Sequence, residues 1–196
     1  MSLPPPSPVP LQCDTQGEFS TDERRLLLRL AHDSILSALE RRNISLDPPT
    51  EHFAQPRGVF TSLHLRGELR GCVGYVLPVS DVYRAVAETA RAAAFEDMRF
   101  HPVRLEEAAQ LEIELSILSP PQLIRAEGVE IGRHGLLISM SGVRGLLLPQ
   151  VPVEHHWDRT TFLDQTCRKA GLPLDAWQHG ARIEAFTAEI FGDARA

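Results

Sequence analysis

Apolar residues first recur at helical spacing at Leu27, Leu28, Ala31, Ile35 and Leu39. Ser20 and Glu23, just ahead of this run, have the spacing of a capping box, so order is expected to begin at Ser20. The helix is expected to end near Arg42–Asn43, before the breaker-rich SLDPPT. The period then changes to two. Val59, Thr61, Leu63 and Leu65 alternate with Phe60, Ser62 and His64, and GVFTSLHL with LRGCVGYVL reads as a β-hairpin around Arg66-Gly67-Glu68. Ser80-Asp81 opens a second, alanine-rich helix through VYRAVAETARAAAF, suited to lying close on a sheet. EDMRFHPV follows as a turn-rich connector, with Pro102 blocking further helix. LEIELSILS is the clearest strand: Leu111, Ile113, Leu115 and Ile117 share one face, Glu112, Glu114 and Ser116 the other. Glycines 132, 135, 142 and 145 then punctuate short apolar runs, read as a hairpin series. DRTTFLDQTCRKAGLP predicts a third helix with Gly171 at its C′ position, and RIEAFTAEIF a final strand. Hairpins outnumber βαβ units, which predicts an α+β fold with mainly antiparallel sheet and flanking helices.

Composition narrows the function classes. The chain has 196 residues, long enough for a core that needs no disulfide or metal. Its formal net charge of -6 counts against nucleic-acid binding, which leaves a basic footprint. Lys169 is the sole lysine, so the cationic sites are planar, permanently charged arginines. Three widely spaced cysteines, Cys13, Cys72 and Cys167, form no disulfide framework and suit a reducing compartment. No run approaches a membrane span, and no basic segment followed by an apolar one precedes Ser20. The expectation is a cytoplasmic protein. Residues 1–18, with PPPSPVP, read as a proline-rich, disordered tail, and the folded region as 19–192.

The candidate chemistry gathers in ELRGCVGYV. Residues two apart on a strand share a face, which would place Arg70, Cys72 and Gly74 together and a permanent charge near the sulfur. Gly71 and Gly74 would leave backbone bare for a ligand. A two-residue turn at Arg66-Gly67 sets Cys72 opposite Thr61; a three-residue loop through Glu68 sets it opposite Ser62, with Arg70 opposite His64 as a potential base. Against this stands the reading of Cys72 as a small buried hydrophobe. Glu114 is either part of a solvated face or a general acid or base in a cleft. Asp97, Arg99 and His101 either project into that cleft or lock their own connector, with Phe100 as its anchor in the core. No metal site is expected: His155-His156 would point apart on a strand, and no His-Glu-x-x-His helix exists. His134 reads as a surface turn residue, and Cys167 as helix packing. The glycines fit no phosphate or dinucleotide fingerprint, so no cofactor is assigned.

Seven segments in order, LRGCVG, AAAFEDMRFHPV, IELSILS, GRHGLLI, GLLLPQV, FLDQTCRKAGLP and EAFTAEIF, resemble the AMMECR domain family from about Leu26 to Phe191. The resemblance implies a larger and a smaller lobe with a cleft between them. It also implies an association with Memo-like and radical S-adenosylmethionine proteins, as in the AmmeMemoRadiSam system. The family's Asp-Pro-Arg-Phe reads EDMRF here: Asp97, Arg99 and Phe100 match, while Met98 replaces the proline and would loosen the turn. Taken together, the readings favour an enzyme or enzyme component acting on a small molecule. Cys72 would be the nucleophile or redox thiol and Glu114 the proton carrier. Arg70 or Arg99 would clamp an anion, with Asp97 and His64 assisting. The alternative is a non-catalytic module docking on a Memo-like partner, with the LRGCVG motif as architecture. A nucleic-acid-associated role ranks last.

Overall fold

The structure is a computed structural model and describes residues 17–193. Most of the expected tail, with Cys13, lies outside the described residues. The fold is α+β, built on two four-stranded antiparallel sheets. The larger lobe carries helix α1 (Thr21–Leu39), hairpin β1 (Gly58–Leu65) and β2 (Glu68–Tyr75), helix α2 (Val82–Phe95), the one-turn helix α3 (Leu105–Ala108) and strand β3 (Leu111–Leu118). The smaller carries β4 (Gln122–Leu123), hairpin β5 (Gly135–Met140) and β6 (Val143–Leu147), helices α4 (Gln150–Glu154) and α5 (Arg159–Lys169), and β7 (Arg182–Phe186). Strand β8 (Ala188–Gly192) returns to the first sheet, giving strand orders β2-β1-β3-β8 and β4-β7-β5-β6.

The capping box forms at Ser20 and Glu23. The helix stops at Leu39, short of Arg42, because Arg41 turns left-handed (φ 56°) and the Arg42 N–H returns to Ser37 O. Helices α1 and α2 cover one face of the first sheet. The Ser34 hydroxyl donates to Ala87 O across the two helices, and the Thr61 and Thr89 hydroxyls meet at 2.8 Å between sheet and helix. Leu63, Ile113, Leu115 and Ile117 are buried beneath them, on the face the alternation assigned. In the smaller lobe Leu136 and Ile138 pack on Phe162, Leu163 and Cys167 of α5. Burial pushes the Cys167 thiol up, as fits an inert packing residue.

Three expectations change. RIEAFTAEIF is two strands in different sheets, broken at Thr187. The outgoing crossover at Ser119 lies beside it: Ser119 N–H donates to Thr187 O, and Thr187 N–H to Ser119 Oγ, both at 2.9 Å, so both chain passages between lobes are tied together. The run at Val129–Ile131 lies in turns instead of forming a strand, leaving β5 and β6 as the hairpin. His155-His156 end α4 instead of sitting on a strand; His156 is left-handed (φ 52°) and the His155 ring stacks on Trp157.

An ion-pair cluster closes the N-terminal end of α1. His52 Nδ1 lies 2.7 Å from Glu23 Oε1, and its ring stacks on Phe19 at 4.6 Å. The Glu23 hydrogen bond raises the His52 pKa above its ordinary 6.5, and His52 lowers Glu23 below its ordinary 4.5. The histidine's share of stability is complete below 6.5 and is lost as pH rises through the raised value; the glutamate's is complete above 4.5 and is lost as pH falls through the lowered one. Their joint contribution is therefore greatest between those two values. Urea unfolding across pH is expected to show the gap between wild type and His52→Gln widest at about pH 5.5 and narrowing on both sides. A pH-independent gap would reduce His52 to its stacking contact.

Candidate functional site

The hairpin register settles what faces Cys72. Arg66 (φ 56°) and Gly67 (φ 80°) make the two-residue turn, pairing Leu65 with Glu68 and His64 with Leu69. A β-bulge then intervenes: Gly71 pairs with Leu63 and Cys72 with Ser62, leaving Arg70 unpaired. Neither simple register holds. The turn belongs to one and the Cys72 partner to the other, because the bulge absorbs one residue.

This bulge separates Arg70 from the thiol, correcting the expected shared face. The Arg70 guanidinium donates from Nε and Nη2 to Glu107 (3.2 and 3.1 Å) and to the carbonyls of His101 (2.8 Å) and Pro102 (3.4 Å). Arg70 thereby holds Glu107 below the ordinary carboxylate value and ties the 101–107 segment to the sheet edge. The glycines serve packing in the same way. A Cβ on Gly71 would lie 2.1 Å from Ala93 O of α2, and one on Gly74 would lie 2.3 Å from the Phe60 ring. Those directions are filled by the protein itself, so they leave no space for a ligand.

The charge beside Cys72 comes from the connector. Asp97 Oδ2 accepts the outward-pointing Cys72 N–H at 2.9 Å, and Arg99 Nη2 reaches Cys72 O at 3.5 Å. Arg99 also donates to Asp97 from Nε (2.9 Å), Nη2 (2.7 Å) and its backbone N–H (3.1 Å). The Arg99 guanidinium first, then the Cys72 N–H, hold the Asp97 carboxyl well below the usual carboxylate range. The pair occupies the free edge of β2 as a neighbouring strand would, satisfying one donor and one acceptor. The turn itself is closed by Phe100 N–H on Asp97 O. Met98 is fully exposed. Phe100 is half-buried beneath the Arg99 guanidinium, 5.4 Å away, and is not the core anchor expected.

On the helix-free face of the first sheet, Cys72, Ser62, Glu114 and Gly192 form one row across β2, β1, β3 and β8. The Ser62 hydroxyl donates to Cys72 Sγ at 3.3 Å. Cys72, Ser62 and Glu114 are half-buried, and the thiol is free. His64 lies one row away, between Leu69 and Glu112, so the expected base does not face the sulfur. Ser62 stands opposite Cys72 as the three-residue-loop register had it, but its role as donor to the sulfur carries no sequence signal. One element of the neighbourhood escaped sequence reasoning, a cavity of about 350 Å³ between the lobes, walled by the Tyr75–Val79 segment on one side and Leu137, Arg144 and Leu146 on the other. A lone arginine inside the apolar run GVRGLLL was its available signal. Among the described residues no three His, Cys, Asp or Glu side chains converge on a metal position.

The AMMECR1 family profile matches residues 28–191. The chain belongs to the AMMECR1 family. It is 40% identical to the protein MK0488 of Methanopyrus kandleri over 89% of this chain and 90% of that one. It is 42% identical to MJ0810 of Methanocaldococcus jannaschii over 88% and 91%. The crystal structure of PH0010 from Pyrococcus horikoshii, described as an uncharacterized protein, superposes with a TM-score of 0.69 at 39% identity, covering 86% of this chain and 90% of that one. The AMMECR1 match thus spans the cysteine row, the Asp97–Arg99 plug and both walls of the cavity. Among the described residues no helix is long and apolar enough to cross a membrane.

Proposed function

We propose that this AMMECR1 protein is an enzyme or enzyme component acting on a small molecule at the cleft between its lobes, with Cys72 as nucleophile. The observation that carries this is the half-buried Cys72–Ser62–Glu114 row on the helix-free sheet face, with a hydroxyl donating to the sulfur at 3.3 Å. A hydroxyl donor stabilises sulfur as it gains charge, and the Arg99 guanidinium adds a cation near the same residue. In the reaction class this favours, the sulfur's electron pair forms the bond to a carbonyl carbon. The carbonyl π pair moves to its oxygen, and the thiol proton passes by way of the Ser62 hydroxyl, which stands between them in the row, to the Glu114 carboxylate. Asp97 and Arg99 hold the Cys72 backbone in place and act as positioning residues.

Ser62→Ala is expected to slow alkylation of Cys72 in the folded protein by about fivefold, the equivalent of one hydrogen bond. Rates equal to wild type would remove the basis for an activated thiol. The fully exposed Met98 favours a second reading, a docking face for a Memo-like partner of the kind the family resemblance implies. Cys72→Ser separates the two, since docking predicts that such a partner still co-purifies with this variant and an obligatory thiol predicts loss of every turnover.

A further inference from the structure

The cavity between the lobes has a chemistry of its own. Its walls are Val76, Leu77 and Val79 from the segment after β2, and Leu137 and Leu146 from the second sheet. Val79 is 69% exposed at its mouth, an apolar side chain left in water. The volume, about 350 Å³, lies in the range of small-molecule sites. One charged residue lines it, Arg144, and no carboxylate does, in a chain whose net charge is -6. Arg144 pairs across the ladder with Ser139, whose other neighbour, Arg182, is already engaged by Glu184 at 2.9 Å. Among the described residues Arg144 makes no ion pair, so its guanidinium is available to a ligand.

The sheet edge supplies a second polar group. Cys72 and Gly74 are two residues apart on β2, paired with Ser62 and Phe60, and stand at the same phase of the ladder. The Cys72 N–H points outward, to Asp97. The Gly74 N–H and C=O therefore also point away from β1, because antiparallel pairs alternate between the two types. The Asp97–Arg99 plug covers the edge at Cys72; at Gly74 the edge forms part of the cavity wall.

We infer that this cavity binds a small amphipathic monocarboxylate. The apolar body would lie among the valine and leucine side chains, and the carboxylate would meet the Arg144 guanidinium, with the Gly74 amide as a further donor. The planar fork of arginine matches a carboxylate in two parallel hydrogen bonds, and apolar walls without competing acids favour a single negative charge. The ligand would lie roughly 7 Å from Cys72, two strand residues on. The inference rests on reading the cleft as a ligand site but uses nothing the thiol does.

The test is a two-dimensional NMR titration of the full chain with hexanoate, 1-hexanol and a short peptide ending in a free carboxylate. Hexanoate is expected to shift the Gly74 and Arg144 amides saturably, and hexanol to bind at least about tenfold more weakly. Arg144→Gln, a change at an exposed side chain whose folding the same spectrum verifies, is expected to bring hexanoate down to the hexanol level. Equal binding of acid and alcohol overturns the inference. So does the absence of a saturable shift at about 10 mM, where even weak sites fill, or a peptide that binds more tightly than the free acid. Failure of hexanoate in a protein whose Cys72 reacts as proposed refutes the ligand class alone; an unreactive Cys72 with hexanoate bound refutes the thiol alone.

Discussion

Alanine at Gly71 is expected to lower the unfolding free energy by about 3 kcal/mol, at the upper end of overpacking penalties. The added Cβ would stand 2.1 Å from Ala93 O and 3.1 Å from Ala93 C, both backbone atoms that no rotamer change can move. Helix α2 must shift to admit it. Thr89 on Thr61, Ser34 on Ala87 O, and the Val103 N–H on Ala94 O hold that helix from three sides. Gly67→Ala is the control. Nothing lies within 4 Å of its Cβ, so only the left-handed backbone (φ 80°) resists, at about 1 kcal/mol. Urea unfolding of the two variants is expected to order them Gly71 well below Gly67; the reverse order would mean that α2 does not sit on β2 as described.

Arg70→Met is expected to cost about 2 kcal/mol, while the alkylation rate of Cys72 stays at the wild-type value. The arginine side chain is 15% exposed and its partner Glu107 21%, so the substitution leaves a half-sequestered carboxylate without its cation. It also strips two carbonyls of their donor. Glu107 keeps the Arg104 N–H at 2.8 Å, which is why the loss stays below that of a fully buried pair. The contrasting pattern, unchanged stability with slowed alkylation, would return Arg70 to the role of the thiol's cation.

That contrast shows where the chain's own pattern stops informing. The alternation of LEIELSILS is a local property: Leu111, Ile113, Leu115 and Ile117 must leave water, and all four are buried on one face. The capping box at Ser20 and the glycine cap at Gly171 are local in the same sense, since donor, acceptor and backbone turn lie within a few residues. The bulge at Arg70 is different. Its arginine makes a bidentate contact to Glu107, far along the chain, and although Gly71 beside it marks a place where a strand can bulge, nothing between Glu68 and Tyr75 names that partner. Strand alternation therefore placed Arg70 beside Cys72, and the fold moved it away. Thr187 is similar. RIEAFTAEIF keeps a strand-like composition throughout, and only the tie to Ser119 reveals that it changes sheets. Asp97 and Arg99 were legible as a pair; their role as a plug on a strand edge required knowing that β2 is the edge. Cys72, Ser62 and Glu114 come together through a three-strand register that one slipped residue would undo.

The most direct test of the thiol's role compares the rate of Cys72 alkylation in the folded protein with that of the same residue in the denatured chain at one pH, read by mass spectrometry of its peptide. Folding half-buries the sulfur, which by itself slows any reagent. A folded-state rate above the denatured one therefore requires activation by the surroundings, the Ser62 hydroxyl and the Arg99 guanidinium. The proposed function predicts that excess, with buried Cys167 unlabelled as the internal reference. A folded-state rate below the denatured one, or no labelling at all, would contradict it and leave Cys72 as a small residue that fits a crowded strand.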